Sequence, residues 1–290
     1  MKHTISSAVV ASGMAVALLA GCGGSSDGSA SGSAGEGSAD GAISTITEGT
    51  LTVGLSPDFP PMEYMDGDDL VGFDIDVLNE IAGRMGYDVK IEEQKFDQVL
   101  NSVRTDRVDI AISGLSDTVE RQETVDFVDY FKSWGQFYTT TELAGDFTEM
   151  TDLCGTSVAV STKTDYYPAL EQMTKDVCES AGLDPIELVG ADSGAAARLQ
   201  LDQGRAQLAV QGNPNLAYFA TTDPGKYEVV LDNFAESPFG ILVKKGNSEM
   251  ADALLAQLQA MYDDGTTAEL LAKYGLDESL MEPVINGVTA

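Results

Sequence analysis

Val108-Asp-Ile-Ala-Ile-Ser-Gly-Leu-Ser-Asp-Thr-Val-Glu-Arg121 is the stretch that decides the fold. Val108 to Ile112 is a short, mostly apolar run, the pattern of a buried strand. Ser113-Gly-Leu-Ser116 then leads into a short helix over Thr118 to Gln122. A strand end that opens on a helix N-terminus is where ligands sit in α/β sheets. Free backbone N–H groups and the helix dipole favour an anion there. Arg121 follows within a turn, and its planar fork can clamp a carboxylate through two hydrogen bonds. A surface pairing of Arg121 with Glu120 or Asp117 is the plainer alternative.

Working outward, strand and helix alternate. Leu51 to Leu55 reads as a strand. From Phe73 the apolar residues Leu78, Ile81, Ala82 and Met85 fall on one helix face, which Gly86 closes. Val89 to Glu92 is a second strand, and Asp97 can cap a helix carrying Val99, Leu100 and Val103. The pattern then restarts, with strands at Thr156–Val160, Ile186–Val189 and Ala206–Val210. Helices follow over Asp165–Ala181 and from the cap Ser193 to Gly204, and Pro214 suits a first helical turn. Tyr227–Leu231 and Phe239–Val243 are further strands, and helices around Leu254–Tyr262 and Ala268–Tyr274 finish the chain. Two similar α/β units are expected, with mostly parallel sheets flanked by helices.

Composition narrows the function. The 290 residues carry 16 Lys+Arg against 47 Asp+Glu and one His, a formal charge of −31. So acidic a surface repels nucleic acid. The single His is His3, so His-based catalysis and His-ligated metal are not expected. No paired-carboxylate or nucleophile motif stands out, so no enzyme activity is expected. No cofactor is expected either.

The first forty residues read as address and tether. Lys2 and His3 precede a largely apolar run from Ile5 to Ala20. It is broken by Ser6, Ser7, Ser12 and Gly13 and falls short of the ~20 apolar residues that span a bilayer. That is a secretory signal over 1–21. Leu19-Ala20-Gly21-Cys22 resembles the bacterial lipobox, which implies lipid on Cys22. Residues 23–42 hold seven Gly, six Ser, four Ala and three acids, so 22–42 is expected to be a flexible tether. Its root-mean-square reach is roughly 25 Å. Outside the cytoplasm the remaining pair, Cys154 and Cys178, suggests a disulfide. Closing that loop contributes about 3 kcal/mol in the chain-entropy model. Two buried free thiols are the alternative.

Three segments carry a family resemblance: Ser56-Pro-Asp-Phe-Pro-Pro-Met-Glu-Tyr64 with Leu70-Val-Gly-Phe-Asp-Ile-Asp76; Asp109 to Arg121 with Val125-Asp-Phe-Val-Asp-Tyr130; and Asp263-Asp-Gly-Thr266. In order and spacing they resemble the polar-amino-acid class of bacterial extracellular solute-binding proteins, receptors of ABC importers, over about residues 48–276. The resemblance implies a two-lobed periplasmic-binding-protein-like fold of type II. Crossovers are expected near Lys132–Gln136 and Ser237–Phe239. Lobe 1 is then 43–133 with 239–290, and lobe 2 is 134–238. The protein is expected to be a monomer, lipid-anchored on the outer face of the cell membrane, delivering a small carboxylate-bearing solute to permease subunits.

The resemblance also implies a site. Ser113, Gly114, Ser116 and Arg121 match positions that hold an α-carboxylate, and Phe59 and Phe96 match aromatic positions beside the ligand side chain. Core packing is the alternative for Phe96. Two places depart from the family. In Ser161-Thr-Lys-Thr-Asp-Tyr166, Thr164 keeps a hydroxyl, but Lys163 replaces a glycine and points either into the cleft or to solvent. In Val210-Gln211-Gly212-Asn213, Gly212 stands where an Asp pairs with an α-ammonium. Either Gln211, Asn213, Asp165 or Asp58 substitutes, or the ligand is a modified amino acid or organic acid without that ammonium. A few relatives of the fold act as dehydratases; here such chemistry would rest on Asp58, Glu63, Asp117 or Asp165.

Overall fold

A computed structural model describes residues 43–289. The proposed signal, Cys22 and the whole of the tether lie outside the described residues. Most of the chain goes into two sheets. The first contains β1 (Thr50–Leu55), β5 (Asp88–Glu93), β6 (Ile110–Ala111), β7 (Val125–Phe131), β13 (Phe239–Lys244) and β14 (Val284–Ile285). The second contains β8 (Gly135–Thr140), β9 (Ser157–Ser161), β10 (Glu187–Ala191), β11 (Leu208–Gly212) and β12 (Tyr227–Phe234). A small three-stranded sheet, β2 (Asp58–Phe59), β3 (Glu63–Asp66) and β4 (Asp69–Val71), sits beside β1 in sequence.

The two large sheets share one strand order. The first runs β5-β1-β6-β13-β7-β14 and the second β10-β9-β11-β8-β12. In each, the three leading strands are parallel. In each, the fourth strand is antiparallel and is the one entered directly after the chain crosses from the other sheet. The expected two-lobed α/β architecture is present. The sheets are mixed rather than mostly parallel, because a strand arriving from the opposite lobe runs against its neighbours. The crossings occupy residues 132–134, between β7 and β8, and 235–238, between β12 and β13.

Helices cover both faces of each sheet. In the first lobe, α1 (Phe73–Met85), α7 (Ser248–Asp263) and α8 (Thr266–Tyr274) pack on one face. That core contains Leu51, Val53, Leu78, Ile81, Ile241 and Leu254. On the other face α2 (Phe96–Arg104) packs Val99 and Val103 against Ala111, Phe127 and Leu242. In the second lobe α4 (Tyr166–Met173) covers one face. There α5 (Gly194–Asp202) and α6 (Asn213–Thr222) cover the other. The short α3 (Val119–Gln122) sits after β6. β1 is buried on both faces, as a central strand between helix layers must be.

Local signals account for most helix ends. Gly86 ends α1 in the left-handed conformation, and Ser193 caps α5 by accepting from Ala196 N. Pro214 lies in the first turn of α6. One expectation is corrected: Lys95, not Asp97, holds the cap position of α2, and Asp97 lies inside the first turn, where the dipole favours its charge. Cys154 and Cys178 form a disulfide with Cα atoms 5.4 Å apart. It fastens the turn Met150–Leu153 to the segment that continues α4.

Candidate functional site

Between the two large sheets lies a cleft of about 790 Å³. Strand ends and helix starts build it, because in each lobe the strands stop on the same side and hand over to helices there. Phe59, Phe96, Gly114, Ser116 and Arg121 reach it from the first lobe. Lys163, Thr164, Gln211 and Gly212 reach it from the second. Nine of the ten residues singled out as ligand-binding thus meet in one place.

The tenth, Ser113, does not line the cleft. Its fully buried hydroxyl donates to Glu63 Oε1 at 2.6 Å and accepts from Ser56 N at 3.0 Å. It works behind the wall, holding the loop after β6 against the loop after β1. Ser113 lies in the loop beyond β6, and that loop, not strand alternation, turns its side chain back toward Glu63. Gly114 has φ +52°, and a Cβ there would overlap the Phe59 ring. Glycine is required on both counts.

Arg121 is half-buried. Its Nη1 donates to Ser116 O at 2.7 Å, and its N–H donates to the Thr118 cap at 3.2 Å. Among the described residues it forms no ion pair with Glu120 or Asp117; the Asp117 carboxylate accepts from Gln122 Nε2 instead. The remaining guanidinium donors are available to the cleft. The Ser116 hydroxyl donates across the cleft to Asp165 Oδ1 at 3.1 Å.

The aromatic pair differs in setting. Phe59 packs edge-on against Phe239, with ring centroids 6.0 Å apart. Phe96 lines the cleft and also packs on the small core under α2. Lys163 is exposed and points across the cleft, with Nζ 3.8 Å from Asp97 Oδ2. The Thr164 hydroxyl donates back to Ser161 O at 3.0 Å. Gln211 Oε1 accepts from Tyr138 OH at 2.6 Å. The space beside Gly212 is taken: a Cβ there would lie 3.0 Å from Tyr166 OH and 3.3 Å from Pro214 Cδ.

Behind the first-lobe wall lie buried acids. Asp74 Oδ1 accepts from Tyr130 OH at 2.6 Å, and its Oδ2 accepts from Gly114 N at 3.2 Å. Burial pushes its pKa up to about 6. Glu63 is raised well above the usual carboxylate range, by burial first and the charge of Asp74 second. Asp129 accepts from Gly287 N at 2.9 Å and is pushed up to about 8 by burial and by Asp117.

Residues that sequence reasoning did not assign to the site include Glu93, Asp97, Asp192, Tyr166, Asn215 and Phe239. Asp192 precedes the Ser193 cap and Asp97 lies in the first turn of α2, so position at a helix start was the available signal. Nothing local marks Tyr166, whose hydroxyl crowds the space beside Gly212.

Two lobes of one topology, joined by two crossings and facing each other over a polar cleft, define a solute-binding protein. The chain belongs to the bacterial extracellular solute-binding proteins, family 3, whose model matches residues 51–277. It is 31% identical over 243 residues to the arginine-binding protein ArgT of Corynebacterium glutamicum, covering 82% of this chain and 78% of that one. Among solved structures, it is similar to an ancestral arginine-binding protein bound to arginine. That match has 31% identity and a TM-score of 0.67, over 78% of this chain and 98% of the other. It is also similar to the ancestral amino acid-binding protein AncCDT-1, a precursor of cyclohexadienyl dehydratase. There the identity is 27% and the TM-score 0.69, over 78% and 95% of the two chains. Among the described residues no helix is long and apolar enough to cross a membrane.

Proposed function

We propose that this protein is the extracytoplasmic receptor of an ABC importer and that it binds a small carboxylate-bearing solute of the amino-acid class between its lobes. The observation that carries the reading is the corner formed by Arg121 and Ser116, where guanidinium donors and a hydroxyl meet at a strand end. Phe59 and Phe96 then flank the ligand's side chain. Acidic residues outnumber basic ones along the cleft, with Asp58, Glu93, Asp97, Asp165 and Asp192 against Lys95, Arg121 and Lys163. With Arg121 committed to a carboxylate, the surplus favours a cationic side chain, and aromatic faces suit one. The similarity to arginine-binding proteins supports the same choice.

The lobes are taken as 43–133 with 239–290, and 134–238, hinged at Lys132–Gln136 and Ser237–Phe239. Contacts to both lobes let the ligand shift a hinge equilibrium toward closure. The closed form is then the one the permease subunits recognise. Lipid on Cys22 holds a monomer on the outer membrane face, with the 22–42 tether leaving it free to tumble. The tests are calorimetric titrations with the proteinogenic amino acids and with simple monocarboxylates. L-arginine is expected to bind tightest. Heat from none of the panel sinks the reading.

A further inference from the structure

The wall behind the Arg121 corner is built on two carboxyls. Phe73 N and Asp74 N donate to Pro61 O and Met62 O at 2.9 and 2.8 Å, which sets the first turn of α1 beside Glu63 of β3. Both acids are fully buried, and they lie within hydrogen-bonding reach of each other. Among the described residues neither pairs with a basic side chain. The other ionisable groups that face them are Tyr130 from β7 and Asp58 from β2.

Counting donors locates a proton. Glu63 Oε1 accepts from Ser113 Oγ at 2.6 Å, Asp74 Oδ1 from Tyr130 OH at 2.6 Å and Asp74 Oδ2 from Gly114 N at 3.2 Å. Of the four oxygens, only Glu63 Oε2 is left buried without a partner. Two ionised carboxylates have no donor to offer each other, and like charges in one buried site disfavour double ionisation. A proton on Oε2, donated to Asp74, satisfies that oxygen and removes one charge. Asp74 is the member that stays ionised. It accepts two hydrogen bonds to the one that Glu63 accepts, and it sits in the first turn of α1, where the dipole favours an anion. The shifts run the same way: burial raises both acids, Asp74 to about 6, and the charge of Asp74 raises Glu63 further.

We propose that Glu63 and Asp74 share this proton, and that neutral Glu63 is a positioning residue for the solute site, holding the loop that leads from β6 through Gly114 and Ser116 to Arg121. The proposal rests on reading the Arg121 corner as the carboxylate site. Glu63 does not line the cleft. It acts through the Ser113 hydroxyl, which also accepts from Ser56 N at 3.0 Å, and through Asp74, which holds the N–H of Gly114. The Phe59 ring lies against Gly114, so a shift of the loop moves the aromatic wall as well. A second ionised carboxylate would repel Asp74 and loosen both links. The other close acid pair, Asp117 and Asp129, is tied to Val288 and Gly287 and not to Ser113 or Gly114.

The test compares the wild type, Glu63→Ala and Glu63→Gln by infrared difference spectroscopy and by calorimetric titration with L-arginine and L-glutamine at neutral pH. The difference between wild type and Glu63→Gln is expected to show the C=O stretch of a protonated carboxyl. Folded Glu63→Ala is expected to bind about 10- to 100-fold more weakly, the worth of a hydrogen bond to a charged group. Glu63→Gln keeps a donor toward Asp74 and an acceptor for Ser113, and is expected to restore most of that loss. A difference spectrum without the acid band overturns the shared proton. Wild-type affinity in folded Glu63→Ala overturns the positioning role, and so does a Glu63→Gln that binds as weakly as Glu63→Ala. If Glu63→Ala does not fold, Ser113→Ala replaces it: the pair stays, its link to the loop is cut, and the same loss is expected. Wild-type affinity there overturns the positioning role equally. A wild type that binds neither amino acid overturns the Arg121 reading and the positioning role with it, while the acid band still decides the proton.

Discussion

The two lobes have the same strand order, yet they furnish their third strand ends differently. The end of β6 carries Gly114, Ser116 and, a turn later, Arg121. The equivalent end of β11 carries Gln211 and Gly212, and the polar work of that lobe passes to Lys163, Thr164 and Asp165 after β9. In the first lobe the backbone itself is part of the site: Gly114 has positive φ and its N–H is held by buried Asp74. At the matching strand end of the second lobe Gly212 has an extended backbone, and side chains supply the polar groups. A shared topology sets where a cleft lies. It does not set which strand end supplies the charge.

The strongest way to break the comparison is to remove the first lobe's anchor. Arg121→Ala is expected to weaken ligand binding by about 100- to 1,000-fold in calorimetry, the cost of losing a hydrogen-bonded charge partner. Its melting temperature should fall only slightly, since within the fold the guanidinium donates only to the Ser116 carbonyl among the described residues. Loss of folding in place of binding would erase the difference between the lobes.

Acidity separates the lobes next. Among the described residues the acids pushed upward, Glu63, Asp74 and Asp129, all lie in the first lobe. A carboxyl whose folded pKa exceeds its unfolded value binds its proton more tightly when folded. That stabilises below the unfolded pKa and is lost as pH rises to the folded one. For Asp129, pushed up to about 8, the loss runs from roughly pH 4 to pH 8. Within that window each pH unit removes up to about 1.4 kcal/mol. Asp129→Asn should flatten the pH dependence of chemical unfolding. An unchanged slope would mean the second lobe or the surface sets it.

Gly114→Ala tests the backbone side of the contrast. Positive φ and overlap with Phe59 are expected to cost about 1–3 kcal/mol in stability and to weaken binding as Phe59 moves. Lys163→Met sharpens the other side. Its exposed pairing with Asp97 is worth roughly 0–1 kcal/mol, so affinity should change only a few-fold. A larger loss would make Lys163 a direct ligand contact.

Much of this was legible in one dimension. The strand Val108–Ile112 with its Ser-Gly-Leu-Ser turn and Arg121 located the cleft, because strand ends and helix starts are local events. Gly86, Ser193 and Pro214 marked helix ends for the same reason. The direction of Ser113 was not legible, since a loop breaks the alternation that predicts which side chains face out. Nor was the antiparallel fourth strand of each sheet, whose neighbours lie more than a hundred residues away in the first lobe and about seventy in the second.

The sequence by itself determined the two α/β units, the net acidity and the strand end that brings Arg121 to the cleft. It also pointed to the Cys154–Cys178 bond through the count of cysteines. Tertiary structure alone decided that a side chain at Gly212 would crowd Tyr166 and Pro214, that Ser113 supports the wall without lining it, and that Asp165 meets Arg121 through Ser116. Each of those facts depends on atoms from separate strands arriving at one point. Periodicity and capping describe a chain along its own axis, whereas occupancy of a shared volume is settled only when the lobes pack.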